Sequence, residues 1–156
     1  MLELAKILVM ISVLGTAVVY GTDVFCALVQ RPALVAVDDG ALVAVMGNVH
    51  RFGDRRMPAP GVLGVTAALA SAALFAIAGY WIQAITAACA VVILLAWIAV
   101  YVRISAPINR QLTAAATSRQ VPTNARVLQS NWDRVINARA VLQGLALATL
   151  CLTLIV

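Results

Sequence analysis

The chain has 156 residues, 63% hydrophobic and only 11% charged, with a mean hydropathy of +1.00, whereas about a quarter of a soluble domain's residues are charged. That balance excludes an ordinary soluble domain and implies an integral membrane protein. Eleven basic residues against six acidic ones give a net charge of +5, but they lie between apolar runs, where they serve as topology signals and interface anchors and not as a nucleic-acid surface.

Each crossing of the hydrocarbon layer needs about 20 apolar residues, and lipid offers backbone groups no partners, so each span must be a helix. The expected fold is all-α: one membrane domain over residues 1–156, a four-helix bundle with spans at about 4–29, 61–80, 82–103 and 135–156. The first run resembles a signal peptide in having a positive residue and an apolar stretch. It lacks a small-x-small cleavage site before a soluble domain and is expected to be retained. Near its inner end stands Asp23, after Tyr20 and Thr22. An ionisable group at that depth needs an interior partner, and Arg139, entering the fourth span from the same side, is the candidate.

Residues 30–60 form the first long connection. Its stretch "ALVAVDDGALVAVMGNVHRF" is apolar enough to suggest a fifth span, but Asp38 and Asp39 would lie at its centre, and a central Asp costs about 2.5–3.5 kcal/mol on insertion scales. A short helix at the interface or folded back on the bundle is expected instead, ended by Pro58 and Pro60. His50, the only histidine, shares a helical stripe with Met46, Val43 and Asp39. Asp39 is eleven residues away, about 16 Å along the axis, and cannot orient it. His50 suits a general base at neutral pH, with Asp54 or Asp23 as carboxylate partner if the fold supplies one. An interface or helix-end hydrogen bonder is the competing reading, and a haem held by this single His is a third.

Only "GYWIQ", residues 79–83, separates spans two and three, which predicts an antiparallel hairpin with Tyr80 and Trp81 in an aromatic belt. Small residues recur every fourth position at Gly64, Ala68, Ala72 and Ala76, and again at Ala140, Gly144 and Ala148. Such stripes permit close helix contact and leave homo-oligomerisation open. Cys26, Cys89 and Cys151 fall in three separate runs without CxxC or a neighbouring His, and are expected to be buried and structural. The loops 30–60 and 104–134 hold most of the arginines, among them Arg31, Arg51, Arg55, Arg56, Arg110, Arg119, Arg126 and Arg134. The positive-inside rule makes their common side cytoplasmic and sends both termini outside.

The fourth span opens on "NWDRVINARAVLQG", residues 131–144. Snorkelling at the headgroups explains Trp132 and Arg134. Asn137, Arg139 and Gln143 lie one to three turns deeper, where polar groups need interior partners. Helical spacing places Trp132, Ile136, Arg139 and Gln143 on one stripe and Asp133, Asn137, Ala140 and Gly144 on another. A polar pocket among the cytoplasmic helix ends is the expectation.

The segments "YGTDVF" in the first span, "MP" before the second, "APINRQL" after the third and W-x4-N-x-R opening the fourth resemble the anthrone oxygenase-like family of small four-span membrane proteins. The matching positions are Gly21, Pro58, Asn109, Trp132, Asn137 and Arg139. Fungal members of that family are implicated in oxidising anthrones to anthraquinones, and many bacterial members have no assigned role, so the resemblance implies anthrone oxidation with O2; the expected location is a bacterial plasma membrane. An anthrone enolate can pass an electron to O2 without metal or flavin, so no cofactor is expected. The site would take His50 as base, with Asp23 or Asp54 as the alternative, Arg139 and Asn137 as donors to developing charge, and Trp132 as an apolar wall, with Asn109, Asp23 and Gln143 around the substrate.

The expected partners are therefore a lipophilic small molecule, O2 and membrane lipid. The competing reading is a non-enzymatic membrane subunit that binds partner helices through its stripes and anionic lipid through its arginines. A transporter is disfavoured by the lack of an inverted repeat or broken span. Nucleotide, zinc-protease, attached-haem and hydrolase motifs do not occur.

Overall fold

Two prolines shape the long helices. The computed structural model describes all 156 residues; in it α1 runs Leu2–Phe25, passes through a π-helical turn at Cys26–Gln30 and continues as α2, Arg31–Val35. A proline inside a helix removes a donor and collides with the carbonyl four residues earlier. The wider π turn accommodates Pro32: the Arg31 N–H reaches back five residues to the Cys26 carbonyl. The same solution serves Pro107. Helix α5, Trp81–Val100, enters a π turn at Tyr101–Ser105, where the Ala106 N–H donates to the Tyr101 carbonyl, and leads into α6, Ala106–Ser118.

Three further helices complete an all-α chain: α3 at Asp39–Arg56, α4 at Pro58–Ile77 and α7 at Ala125–Ile155. Asp38 starts α3 by accepting the Ala41 N–H at 2.7 Å, and Met57 alone separates α3 from α4. Gly79, at φ +81°, closes the tight hairpin into α5.

The helices Leu2–Val35, Pro58–Ile77, Trp81–Ser118 and Ala125–Ile155 are long and apolar enough to cross a membrane. Three outrun the spans expected from hydropathy. Residues 104–134 in particular are helical except around 119–124. Polar composition there marks where the chain leaves the lipid, not where helical hydrogen bonding stops. At 1.5 Å per residue the 38-residue helix Trp81–Ser118 is about 57 Å long, and the hydrocarbon layer is only about 30 Å thick. A head of α2, α3, α6 and the start of α7 must therefore stand beyond it.

The molecule accordingly has two apolar cores. Ala5, Val9, Ala68, Phe75, Ala90 and Leu150 belong to one, inside the four spans. Leu42, Met46, Leu112, Leu128, Trp132 and Ile136 belong to the other, in the head. Helix α3 folds back on α6, where a Cβ on Gly47 would come within 2.4 Å of the Leu112 carbonyl oxygen. Arg126 clasps the turn before α3, donating to Asp39 at 2.6 Å, to the Leu34 carbonyl at 2.9 Å and to the Val37 carbonyl.

In the spans, the small-residue stripe of α4 is used within the chain. Gly15 of α1 packs on Gly64, whose carbonyl accepts the Ser12 hydroxyl at 2.8 Å. Gly144 faces the Tyr20 ring, while Ala148 is exposed. The cysteines depart from expectation: Cys26 is buried, but Cys89 and Cys151 lie on the outward surface of the bundle, where apolar side chains such as Leu14, Val92 and Ile155 are also exposed. A thiol is apolar enough for that lipid-side position.

Candidate functional site

Polar side chains concentrate in the layer between the two cores. Asp23 on α1 and Arg139 on α7 meet there, Arg139 Nη2 donating to Asp23 Oδ1 at 2.7 Å, with 3% and 7% of the side chains exposed. Two buried charges tolerate this depth only as a pair whose remaining valences are also filled. Asp23 Oδ2 accepts Gln143 Nε2 at 2.8 Å and Trp97 Nε1 at 3.2 Å, and Arg139 Nη1 donates to Ser105 Oγ at 3.1 Å. The guanidinium lies over three aromatic rings, those of Tyr101, Trp132 and Trp97, at 5.4, 5.7 and 5.9 Å. Aromatic faces attract a cation that has lost its water.

A second network joins the head to the spans. Asp54 Oδ1 accepts the Tyr101 hydroxyl at 2.8 Å and Asn109 Nδ2 at 2.9 Å, and Asn109 Oδ1 accepts Trp132 Nε1 at 3.1 Å. Four helical segments thus converge on Asp54: α3, the π turn after α5, α6 and α7. The π turn matters because it sets both Tyr101 and Ser105 toward this layer.

Against these networks lies a cavity of about 340 Å³, within the range of small-molecule sites, about 300–1,000 Å³. Its polar wall is formed by Asp23, His50, Asp54, Asn109 and Arg139, and its apolar wall by α4 and α5, with Val62, Val65, Ile98 and Val102. Val62 and Val102 are 60% and 56% exposed, so the cavity reaches the outer surface of two membrane-spanning helices.

His50 is buried on α3, its ring centroid 5.5 Å from that of Trp132. Burial pushes its pKa down to about 4; the Asp54 carboxylate opposes this and Arg139 adds to it. The imidazole is therefore neutral at pH 7 and able to accept a proton. Three buried side-chain atoms lack a hydrogen-bond partner: His50 Nε2, Arg139 Nε and Gln129 Oε1. The first two belong to residues lining the cavity.

Of the residues singled out from sequence, His50, Arg139, Trp132, Asn109 and Asp23 line this cavity. Gln143 stands behind it and secures Asp23. Asn137 is exposed on another face of α7 and takes no part in lining it; it lies about 160° around the helix from Arg139. Asp23 accepts three hydrogen bonds and Asp54 two, so Asp54 is the freer carboxylate. Sequence reasoning did not single out Trp97, Tyr101 or Ser105. Pro107 was the available signal, since it forces the turn that presents two of them. No group of three or more His, Cys, Asp or Glu side chains is placed to hold a metal. Comparison with family models, curated proteins and solved structures gives no match.

Proposed function

We propose that the chain is a membrane-embedded enzyme that oxidises a small lipophilic aromatic ketone, phenol or quinol with O2 in this cavity, the reaction type that its motifs resemble. One observation carries the reading: His50 and Arg139, which line the same apolar space, each bury a nitrogen without a partner, Nε2 and Nε. Leaving such groups unsatisfied costs about 1–3 kcal/mol each, an expense consistent with their meeting a ligand's oxygen and acidic hydrogen. The competing use of the α4 stripe by partner helices has less support, because Gly64 and Ala68 are already buried within the chain.

With an anthrone, His50 removes a proton from the CH2 group between the rings, and Arg139 stabilises the enolate oxygen. The enolate carbon gives one electron to O2, and the carbon radical and superoxide combine to a peroxide, which takes the proton back from the imidazolium. Loss of the remaining C–H proton with cleavage of the O–O bond leaves a ketone and water. Anthrone and O2 are thereby converted to anthraquinone and H2O. The Asp23–Arg139 pair fixes the guanidinium without supplying the base, since its carboxylate is fully engaged.

The head would face the cytoplasm of a bacterial plasma membrane, with both termini outside, as its arginines direct. Purified protein in lipid nanodiscs, given anthrone under 18O2, should form anthraquinone carrying one labelled oxygen, faster than empty discs do. Equal rates in the two would refute the proposal.

A further inference from the structure

Asp54 is the charged side chain of the cavity that has no counter-ion. Asp23 and Arg139 cancel each other at 2.7 Å, whereas Asp54 makes no ion pair within 4.0 Å: the salt bridges join Lys6 to Glu3, Arg31 to Asp133, Arg126 to Asp39 and Arg139 to Asp23. Its neighbours on α3, Arg51, Arg55 and Arg56, are exposed, as is Arg110 on α6. Both hydrogen bonds that Asp54 accepts fall on Oδ1, leaving Oδ2 without one. Among the acidic and basic side chains that line the cavity, Asp23 and Arg139 pair with each other and Asp54 stands alone.

From this arrangement we infer that Asp54 tunes which ligands bind: the cavity takes uncharged lipophilic ring compounds, holds most tightly those with a hydroxyl that donates to Asp54 Oδ2, and rejects the corresponding anions. The inference rests on the proposed use of the cavity and names the form in which its substrate binds. The geometry of entry agrees. The exposed edges at Val62, Thr66 and Val102 are apolar or uncharged, a path from lipid that desolvates whatever follows it, and a carboxylate or phenolate loses far more on desolvation than a phenol. Inside, a bound anion would meet the unpaired carboxylate of Asp54, while the guanidinium's charge is already balanced by Asp23 and only its Nε remains open as a donor. A phenol instead supplies the donor that the carboxylate lacks. Tyr101 and Asn109 hold the other oxygen, so Oδ2 is fixed in place before the ligand arrives.

The test measures binding without turnover, by isothermal titration of the intact protein in nanodiscs under anaerobic conditions, with empty discs subtracted. The probes are 2-naphthol, 2-methoxynaphthalene, which has no donor, and 2-naphthoate, an anion. The expected order is naphthol first, the ether weaker by about 10- to 100-fold, as for a hydrogen bond to a charged group, and no binding of naphthoate. Asp54→Asn keeps an oxygen for Tyr101 and Asn109 but replaces the acceptor by an NH2 donor. It should bring naphthol and the ether to similar affinity and admit naphthoate. Equal binding of naphthol and ether by the native protein, or tighter binding of naphthoate, would overturn the inference and leave the oxygenase reading standing. Binding of none of the three would overturn both. Because the native protein alone ranks the probes, the result stands even if the variant folds poorly.

Discussion

Removing one partner of the Asp23–Arg139 pair should be far more damaging than removing both charges. The two side chains meet at 2.7 Å with 3% and 7% exposure, so Arg139→Gln leaves a buried carboxylate with only Gln143 and Trp97 as donors. Breaking a buried pair in this way costs about 3–5 kcal/mol, while replacing both partners by uncharged groups is often near neutral. Asp23→Asn alone should cost a similar amount, by stranding the guanidinium among Tyr101, Trp132 and Trp97. The double variant should recover most of that loss. The assay is a double-mutant cycle on unfolding in one detergent, read by near-UV circular dichroism. Single variants within about 1 kcal/mol of the native protein, or additive losses in the double, would refute the claim that the pair is desolvated and mutually dependent.

His50, held neutral by burial with a pKa near 4 against 6.5 when free, contributes stability that is complete above about pH 6.5 and declines as the pH falls toward 4, by about 2 kcal/mol at pH 5. Melting at pH 7.5 and 5 should show this loss in the native protein and not in His50→Gln. Gly47→Ala, with its new Cβ 2.4 Å from the Leu112 carbonyl oxygen, should separate α3 from α6 at a cost of about 1–3 kcal/mol, seen as faster proteolysis of the head. Asn137→Ala should leave stability within about 0.5 kcal/mol and turnover unchanged, because Asn137 is exposed and away from the cavity.

The all-α bundle was legible because hydrocarbon imposes it on any chain with four long apolar runs. The ends of the helices were not, because α6 and the start of α7 are polar enough to resemble loops while burying Ile108, Leu112 and Leu128 in a second core. At the site, helical spacing alone put Trp132, Arg139 and Gln143 on one face, and all three are buried. The same spacing puts Asn137 on the opposite stripe, and it is exposed there. Trp97 and Tyr101 were hidden by their apolar surroundings, where an aromatic side chain reads as lipid-facing. Their hydrogen bonds to Asp23 and Asp54 join positions 74 and 47 residues apart, which no local pattern signals.

Oxygen consumption with anthrone, compared for native protein, His50→Gln and empty nanodiscs at pH 7.5, decides whether His50 acts as the base. The native protein should take up O2 rapidly, one O2 for each anthraquinone formed, and the variant should be slower by about 100-fold or more, the usual contribution of a positioned general base. Uptake by the folded His50→Gln variant equal to that of the native protein would contradict that role.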